Sequence, residues 1–320
     1  MTRYVVTGAH GFVGRALCAA LAARGASVTG LVRRAEPLAG GVSTWVYDGA
    51  DFAGLDAAWP ASGPACDVVI HLAARVHVMH DAAADPLAEY RAANLDGLMR
   101  VARGARAAGA RRFVMVSSIK ALGDADPGRP WCEDDAPRVL DAYGRSKREA
   151  EDALLEWGRT SGMETVVMRP PLVHGPGVRA NFLRLLQIAA TGLPLPLGAV
   201  TAKRSLVSLA NLVDALILCA THEAAPGRVF HVADSEDLTT ADLVRTVRRQ
   251  LGLSSRLVPV PPALLAWIGR LTGRTGEIDR LIRSLRVDSS RIRRELGWLP
   301  PLSAEQGLQE TVSWYRSRGR

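Results

Sequence analysis

The sequence predicts an α/β protein: a doubly wound parallel sheet, with a smaller α/β lobe formed from the C-terminal half. Three observations carry that prediction. Short runs rich in Val, Ile and Phe alternate with Ala-rich helical stretches through the first half of the 320 residues. The first of these runs ends in a glycine-rich turn that opens a helix. After about residue 177 the alternation loosens into short strands, turns rich in Gly and Pro, and amphipathic helices.

Residues 3–8 form the first strand and lead into Thr7-Gly8-Ala9-His10-Gly11-Phe12-Val13-Gly14. An Ala-rich helix over 15–24 and a second strand over 26–32 follow. Strand, Gly-rich turn, helix and strand in that order form the context of a Rossmann-type dinucleotide site. The glycines let the backbone approach a pyrophosphate, which rests on the helix N-terminus. Gly8, His10, Gly11, Phe12, Val13 and Gly14 are therefore candidate cofactor contacts. Where NAD enzymes place an acidic residue after the second strand, this chain has Leu31-Val32-Arg33-Arg34, with Glu36 too late. Arg33 suits a 2′-phosphate, so NADP(H) is favoured over NAD(H).

The third strand, residues 44–48, ends at Asp48, which is placed to meet an adenine amine. The fourth, residues 67–74, is apolar and ends in Leu72-Ala73-Ala74, small residues that leave room for a ligand at the sheet's C-terminal edge. One long helix is expected over 86–109, with Asn94 inside it as a structural residue bonding backbone groups locally. The fifth strand, residues 112–116, ends in Ser117-Ser118. A nucleotide-binding half over 1–170 and a substrate lobe over 171–320 follow from this pattern, some segments of the second returning to the sheet.

Composition narrows the function classes. Hydrophobic residues make up 48% and charged residues 22%, ordinary for a globular protein. The net charge of +8 comes from dispersed arginines, with lysine only at 120, 147 and 203. Without a dense basic run or aromatic-basic interleaving, nucleic acid is not an expected partner. Cys18, Cys66, Cys132 and Cys219 are scattered singly, which fits neither a disulfide framework nor a metal cluster and points to a reducing, cytoplasmic setting. The apolar stretch Leu264-Leu265-Ala266-Trp267-Ile268 is too short to span a bilayer and reads as a core-facing helix after a Pro-rich turn, with an interfacial helix as the alternative.

Tyr143-Gly144-Arg145-Ser146-Lys147 opens a helix, and residues four apart share a helix face. A phenol has a pKa of about 10, and a neighbouring cation favours its phenolate. Tyr143 next to Lys147 is thus a candidate acid/base for a hydroxyl proton.

These pieces together resemble the extended short-chain dehydrogenase/reductases, and within them the UDP-glucose 4-epimerase-like, NAD-dependent epimerase/dehydratase group. The matches run in order: Thr7-Gly8-x-x-Gly11-x-x-Gly14, Asp48, His71-Leu72-Ala73-Ala74, Ser117-Ser118, Tyr143-x-x-x-Lys147, Arg169-Pro170-Pro171-Leu172-Val173-His174-Gly175-Pro176-Gly177, Val213-Asp214-Ala215 and Leu296-Gly297-Trp298-x-Pro300. The resemblance implies that Ser118 and Tyr143 hold the reacting sugar oxygen. It implies that Lys147 bonds the nicotinamide ribose and lowers the Tyr143 pKa, and that Pro170 and Val173 lie beside the nicotinamide. An aromatic that usually follows the catalytic serine is replaced here by Ala121-Leu122-Gly123. His174 takes the place of a usual tyrosine and reads as a packing substitution.

The resemblance further implies that Asn181 contacts the substrate and Arg204 its diphosphate. Arg280 or Arg283 could add a second phosphate contact, and Asp214 is structural. The implied activity is hydride transfer at C4 of a UDP-hexose or UDP-deoxy-N-acetylhexosamine, as a 4-epimerase or a 4-ketoreductase, in the making of surface polysaccharide. A 4,6-dehydratase would need an Asp-Glu pair where Ile119-Lys120 stand. Reduction of a non-sugar ketone and a non-catalytic cofactor-binding role are the alternatives. Resembling enzymes dimerise through helices near 86–109 and 143–158, so a homodimer is expected.

Overall fold

The computed structural model describes residues 1–76, 85–138 and 140–318. In the first half, strands and helices alternate: β1 (Arg3–Thr7), α1 (Phe12–Ala23), β2 (Ser27–Val32), β3 (Ser43–Val46), α2 (Leu55–Ser62) and β4 (Val68–His71). There follow α3 (Pro86–Arg91), α4 (Gly97–Ala107), β5 (Arg112–Val116), α5 (Ala142–Ser161), β6 (Glu164–Arg169) and β7 (Leu172–His174). The second half adds α6 (Ala180–Ala190), β8 (Lys203–Arg204), β9 (Leu206–Ser208), α7 (Leu209–Thr221), β10 (Arg228–His231) and β11 (Leu238–Thr239). Helices α8 (Thr240–Leu251), α9 (Pro262–Leu271), α10 (Thr275–Ile282), α11 (Ser290–Leu296) and α12 (Ala304–Ser317) complete it.

Seven strands form one parallel sheet in the order β10-β6-β5-β4-β1-β2-β3. Its strands are apolar on both faces because helices cover both. Successive strand side chains point to opposite faces. Tyr4 and Val6 accordingly join a core with α1, α7 and α11, and Val5 joins another with α2, α4 and α5. The chain order reverses between β1 and β4, which opens a crevice beyond their C-terminal ends.

A third core holds the C-terminal lobe together, from Phe182 and Leu186 of α6, Leu243 and Val247 of α8, Leu265 of α9, and Leu308 and Val312 of α12. The pairs β7–β9 and β8–β11 stitch this lobe beside the sheet. β10, from the C-terminal half, is the sheet's edge strand next to β6.

Three expectations are corrected. The stretch 86–109 is not one regular helix, because a π-helical segment, Ala92–Asp96, interrupts it around Asn94. Of the short strands expected in the C-terminal half, the one read over 256–260 makes only a bridge from Leu257 to Leu195, since Pro259, followed by Pro261, offers no N–H to a ladder. Helix α9 does not face the core throughout: Leu265 is buried, but Leu264, Trp267 and Ile268 are exposed. Among the described residues no helix is long and apolar enough to cross a membrane.

Candidate active site

The turn after β1 is shaped by contacts that only glycine permits. Gly8 has φ +66°, and a Cβ there would lie 2.9 Å from the backbone nitrogen of Ala73. A Cβ on Gly14 would meet the Gly8 carbonyl at 2.2 Å. Gly11 N-caps α1 and supplies no side chain to its first N–H groups, and the first turn carries no acidic residue. Those free donors and the helix dipole suit an anion. The residues present therefore fit the pyrophosphate of a dinucleotide.

Thr7 ties the two sides of the crevice together. Its hydroxyl oxygen accepts the Leu72 and Ala73 N–H groups at 3.2 and 3.1 Å and lies 3.0 Å from His71 Nδ1. With two N–H groups already donated to that oxygen, its own proton goes to the imidazole, so His71 is neutral. Burial agrees, pushing the His71 pKa down to about 3, with the Lys147 charge adding to it. Leu72, Ala73 and Ala74 leave a partly open floor at the end of β4. His10 reaches over the turn and donates to the Glu36 carbonyl at 3.0 Å, while Phe12 and Val13 pack on the sheet core. Arg33 and Asp48 lie exposed beyond the ends of β2 and β3, and among the described residues Arg33 has no bonded partner. A cavity of about 620 Å³ borders the outer side of this turn, between α1 and α7, and none of Ser118, Tyr143 and Lys147 lines it.

Ser118 and Tyr143 are brought together by two elements with different anchors. The chain leaving β5 stays paired with the chain leaving β6: Ser117 donates to the Met168 carbonyl at 2.7 Å, and Ile119 to that of Pro170 at 3.0 Å. Pro170 is thus buried directly behind Ser118, with half-buried Val173 following in β7. Opposite, Asp141 N-caps α5 through the Gly144 N–H at 2.7 Å and accepts from Lys120 Nζ at 2.6 Å. Lys120 also pairs with Asp124 at 2.8 Å. Burial works against the Lys120 charge, but the two carboxylates outweigh it and raise its pKa. A Cβ on Gly144 would sit 2.4 Å from the Lys120 carbonyl oxygen, so α5 approaches the serine loop as closely as only glycine allows. The Tyr143 phenol is thereby brought near the Ser118 hydroxyl, which favours its phenolate, and its ring meets Tyr90 edge-on at 5.9 Å.

Lys147 lies one turn further along α5, buried, with Nζ donating to the Val116 carbonyl at 3.1 Å. Desolvation lowers its pKa to about 8, against the pull of Glu151. Tyr143 corrects an expectation. Its residue as a whole is only half-buried, yet the phenol's surroundings are dry enough to push its pKa up to about 12, with the nearby Ser118 hydroxyl working against the rise. The phenol is therefore neutral at neutral pH, and the Lys147 ammonium is engaged by the Val116 carbonyl.

Several supports were not foreseen from the sequence. Asn94 bonds no local backbone. Its amide nitrogen donates to the Arg75 carbonyl at 3.1 Å and to Ser146 at 3.0 Å, and its oxygen accepts the Arg75 N–H at 2.8 Å. It therefore fixes the strand-end loop to the helix carrying Tyr143. Arg169 is buried in a forked pair with Glu151 of α5, at 2.6 to 3.0 Å, and donates to the Glu133 carbonyl at 2.9 Å. Only the Asp141 cap had a local signal, an Asp three residues before Gly144 at the start of α5.

On the substrate side, Arg204 donates to the carbonyl of Arg280, and burial followed by the Arg280 charge lowers its pKa. The nearby Arg280 charge makes this region favourable for an anion. The Arg204 contact is to the Arg280 backbone, while the Arg280 side chain donates to the Gly276 carbonyl at 2.8 Å. Asn181 lies exposed on the first turn of α6 without a hydrogen bond among the described residues. His174 is buried, 3.0 Å from Thr311 and 3.4 Å from Asp234, and stacks on Phe182. Asp214 accepts from Trp298 at 3.2 Å and pairs with Arg24 at 3.1 Å.

The NAD dependent epimerase/dehydratase family model matches residues 4–233. A UDP-glucose 4-epimerase of Vibrio cholerae is 42% identical over 247 residues, which are 77% of this chain and 75% of that protein. Among solved structures, RMD from Pseudomonas aeruginosa with NADPH superposes with a TM-score of 0.76 at 25% identity, over 99% of this chain and 100% of that one. MoeE5 with UDP-glucose and NAD gives the same TM-score, identity and coverage.

Proposed function

We propose, on the premise that the chain belongs to the NAD-dependent epimerase/dehydratase family, that this NAD(P)-dependent, sugar-nucleotide enzyme is a 4-epimerase of a UDP-hexose. The observation that carries this reading is that Ser118 and Tyr143 are brought together on the loop and helix beside buried Lys147, at the end of the sheet where the glycine turn fits a dinucleotide. The similarity to a Vibrio cholerae UDP-glucose 4-epimerase supports the substrate class.

Gly8, Gly11, Gly14 and the α1 N-terminus would hold the pyrophosphate, and Leu72, Ala73 and Ala74 would floor the crevice. Asp48 is assigned to the adenine side, and Pro170 and Val173 to the nicotinamide side. The bound dinucleotide supplies a hydride acceptor and donor. The chain's own part is to move one proton. Tyr143 Oη accepts the C4 hydroxyl proton as the ketone forms and returns it when the alcohol re-forms, while Ser118 donates to the same sugar oxygen. A phenol raised to about 12 is a poor base, so oxidation needs a charge that reaches Tyr143 once the site is filled. Lys147, when it leaves the Val116 carbonyl for a ribose hydroxyl, is the group placed to supply it. Arg204, with Arg280 or Arg283, would hold the diphosphate, leaving the hexose free to present either face, and Asn181 at the lobe's edge would be a further substrate contact.

A second reading, a one-way 4-ketoreductase, is favoured by Arg33, which follows β2, where an arginine suits a 2′-phosphate, and has no bonded partner among the described residues. Denaturing the purified protein and identifying the released nucleotide separates the two. Near-stoichiometric NAD supports the epimerase. An empty protein that binds NADPH far more tightly than NADH supports the reductase and a role for Arg33 in choosing NADP(H).

A further inference from the structure

We propose that the outer face of α9 seats the protein on an anionic lipid bilayer. Leu264, Trp267, Ile268 and Leu271 recur at the spacing of one helix face and are 45, 57, 40 and 66% exposed. The helix does not need this face to pack. Its other side already supplies Leu265 to the lobe core and closes on α10, where a Cβ on Gly269 would meet Ile278 at 2.9 Å. Four large apolar side chains, one of them an indole, thus remain together in water on a ten-residue helix. Such a helix is too short to span a membrane, but it can lie in the plane of the interface.

Charge selects the occupant. From residue 243 to residue 276 the chain contains six arginines and no Asp or Glu. Arg270, at the border of the apolar face, and Arg274, just past its end, are exposed and have no acidic partner among the described residues. An apolar stripe with an indole and flanking arginines matches a surface of anionic headgroups over acyl chains. A second copy of the chain fits less well, because a two-fold contact brings each arginine-rich border against its twin. Helix α9 packs on α10, whose Arg280 receives Arg204, so docking would bring the substrate lobe to the bilayer. The inference rests on the surface of α9 and is independent of the assigned reaction.

The test is flotation of the full-length protein with phosphatidylcholine vesicles, with and without phosphatidylglycerol. The protein should float with the phosphatidylglycerol vesicles alone and be released by salt. Trp267→Ser/Leu271→Ser and Arg270→Glu/Arg274→Glu should each lower the bound fraction at least roughly fivefold, while circular dichroism and nucleotide binding stay unchanged. Protein that remains at the bottom with anionic vesicles, or flotation unaffected by both double variants, overturns the proposal. So does a concentration-dependent dimer that Trp267→Ser/Leu271→Ser abolishes, which would give the face to a second copy.

Discussion

Gly144→Ala isolates the geometric claim at the centre of the site. Alanine is favoured over glycine in helices by up to about 1 kcal/mol, so helix propensity alone predicts a more stable protein. The contacts predict the reverse for activity. The added Cβ would start 2.4 Å from the Lys120 carbonyl oxygen and 3.2 Å from its carbon. Ordinary contact begins near 3.4 Å, so the first turn of α5 must retreat by about 1 Å. It cannot do so freely, because the Asp141 cap and the Lys120–Asp141 pair hold it from the same side. Tyr143 precedes Gly144 and moves with it, away from Ser118. A misplacement of about 1 Å costs on the order of a hundredfold in rate, equivalent to about 2.7 kcal/mol of barrier. The assay is kcat for sugar-nucleotide turnover beside a thermal melt. A kcat reduced roughly a hundredfold with nucleotide still bound is the expected result. A variant with native kcat would refute the argument that this close approach positions the tyrosine.

Other predictions follow from neighbouring contacts. Arg204→Ala should weaken UDP-sugar binding about tenfold to a hundredfold, the worth of a charge-assisted hydrogen bond, without changing nucleotide retention; an unchanged KM would remove Arg204 from the diphosphate site. Glu151→Ala leaves Arg169 buried without its carboxylate and should cost about 3–5 kcal/mol in urea unfolding, whereas a loss below about 1 kcal/mol would mean the pair contributes little. His71 and His231 are both held neutral by burial, with pKa values near 3. The unfolded chain therefore binds the extra protons below the ordinary histidine pKa of about 6.5, and stability present above that pH is lost as pH falls towards 3. The loss should approach about 2.7 kcal/mol per pH unit for the two together, seen as a falling urea midpoint; a flat midpoint between about pH 6 and 4 would mean neither ring is kept neutral.

What the sequence made legible were features in which backbone geometry restricts residue type. Gly8 and Gly14 are needed where a Cβ would strike the backbone of Ala73 or Gly8 itself, and those requirements show as spacing. Tyr143 and Lys147 sit on one helix face for the same geometric reason. Properties set by residues distant in the chain were not legible. The Tyr143 pKa depends on how dry its surroundings are, and the Asn94 clamp spans 52 residues to Ser146. Spacing did not choose between Arg280 and Arg283, because the choice depends on how α10 meets β8. Apolar content in α9 suggested a core helix, since composition does not say which side of an amphipathic helix has a partner. The edge position of β10 likewise depends on a crossover that local pattern does not encode.

The central claim is reversible chemistry at C4 carried by Tyr143. The direct measurement is proton NMR of UDP-galactose incubated with the purified protein without added nucleotide, beside Tyr143→Phe. The account predicts steady conversion to UDP-glucose by the wild-type protein and loss of at least about a hundredfold in the variant that still holds its nucleotide. No conversion by a wild-type protein that contains NAD, or equal conversion by Tyr143→Phe, would contradict it.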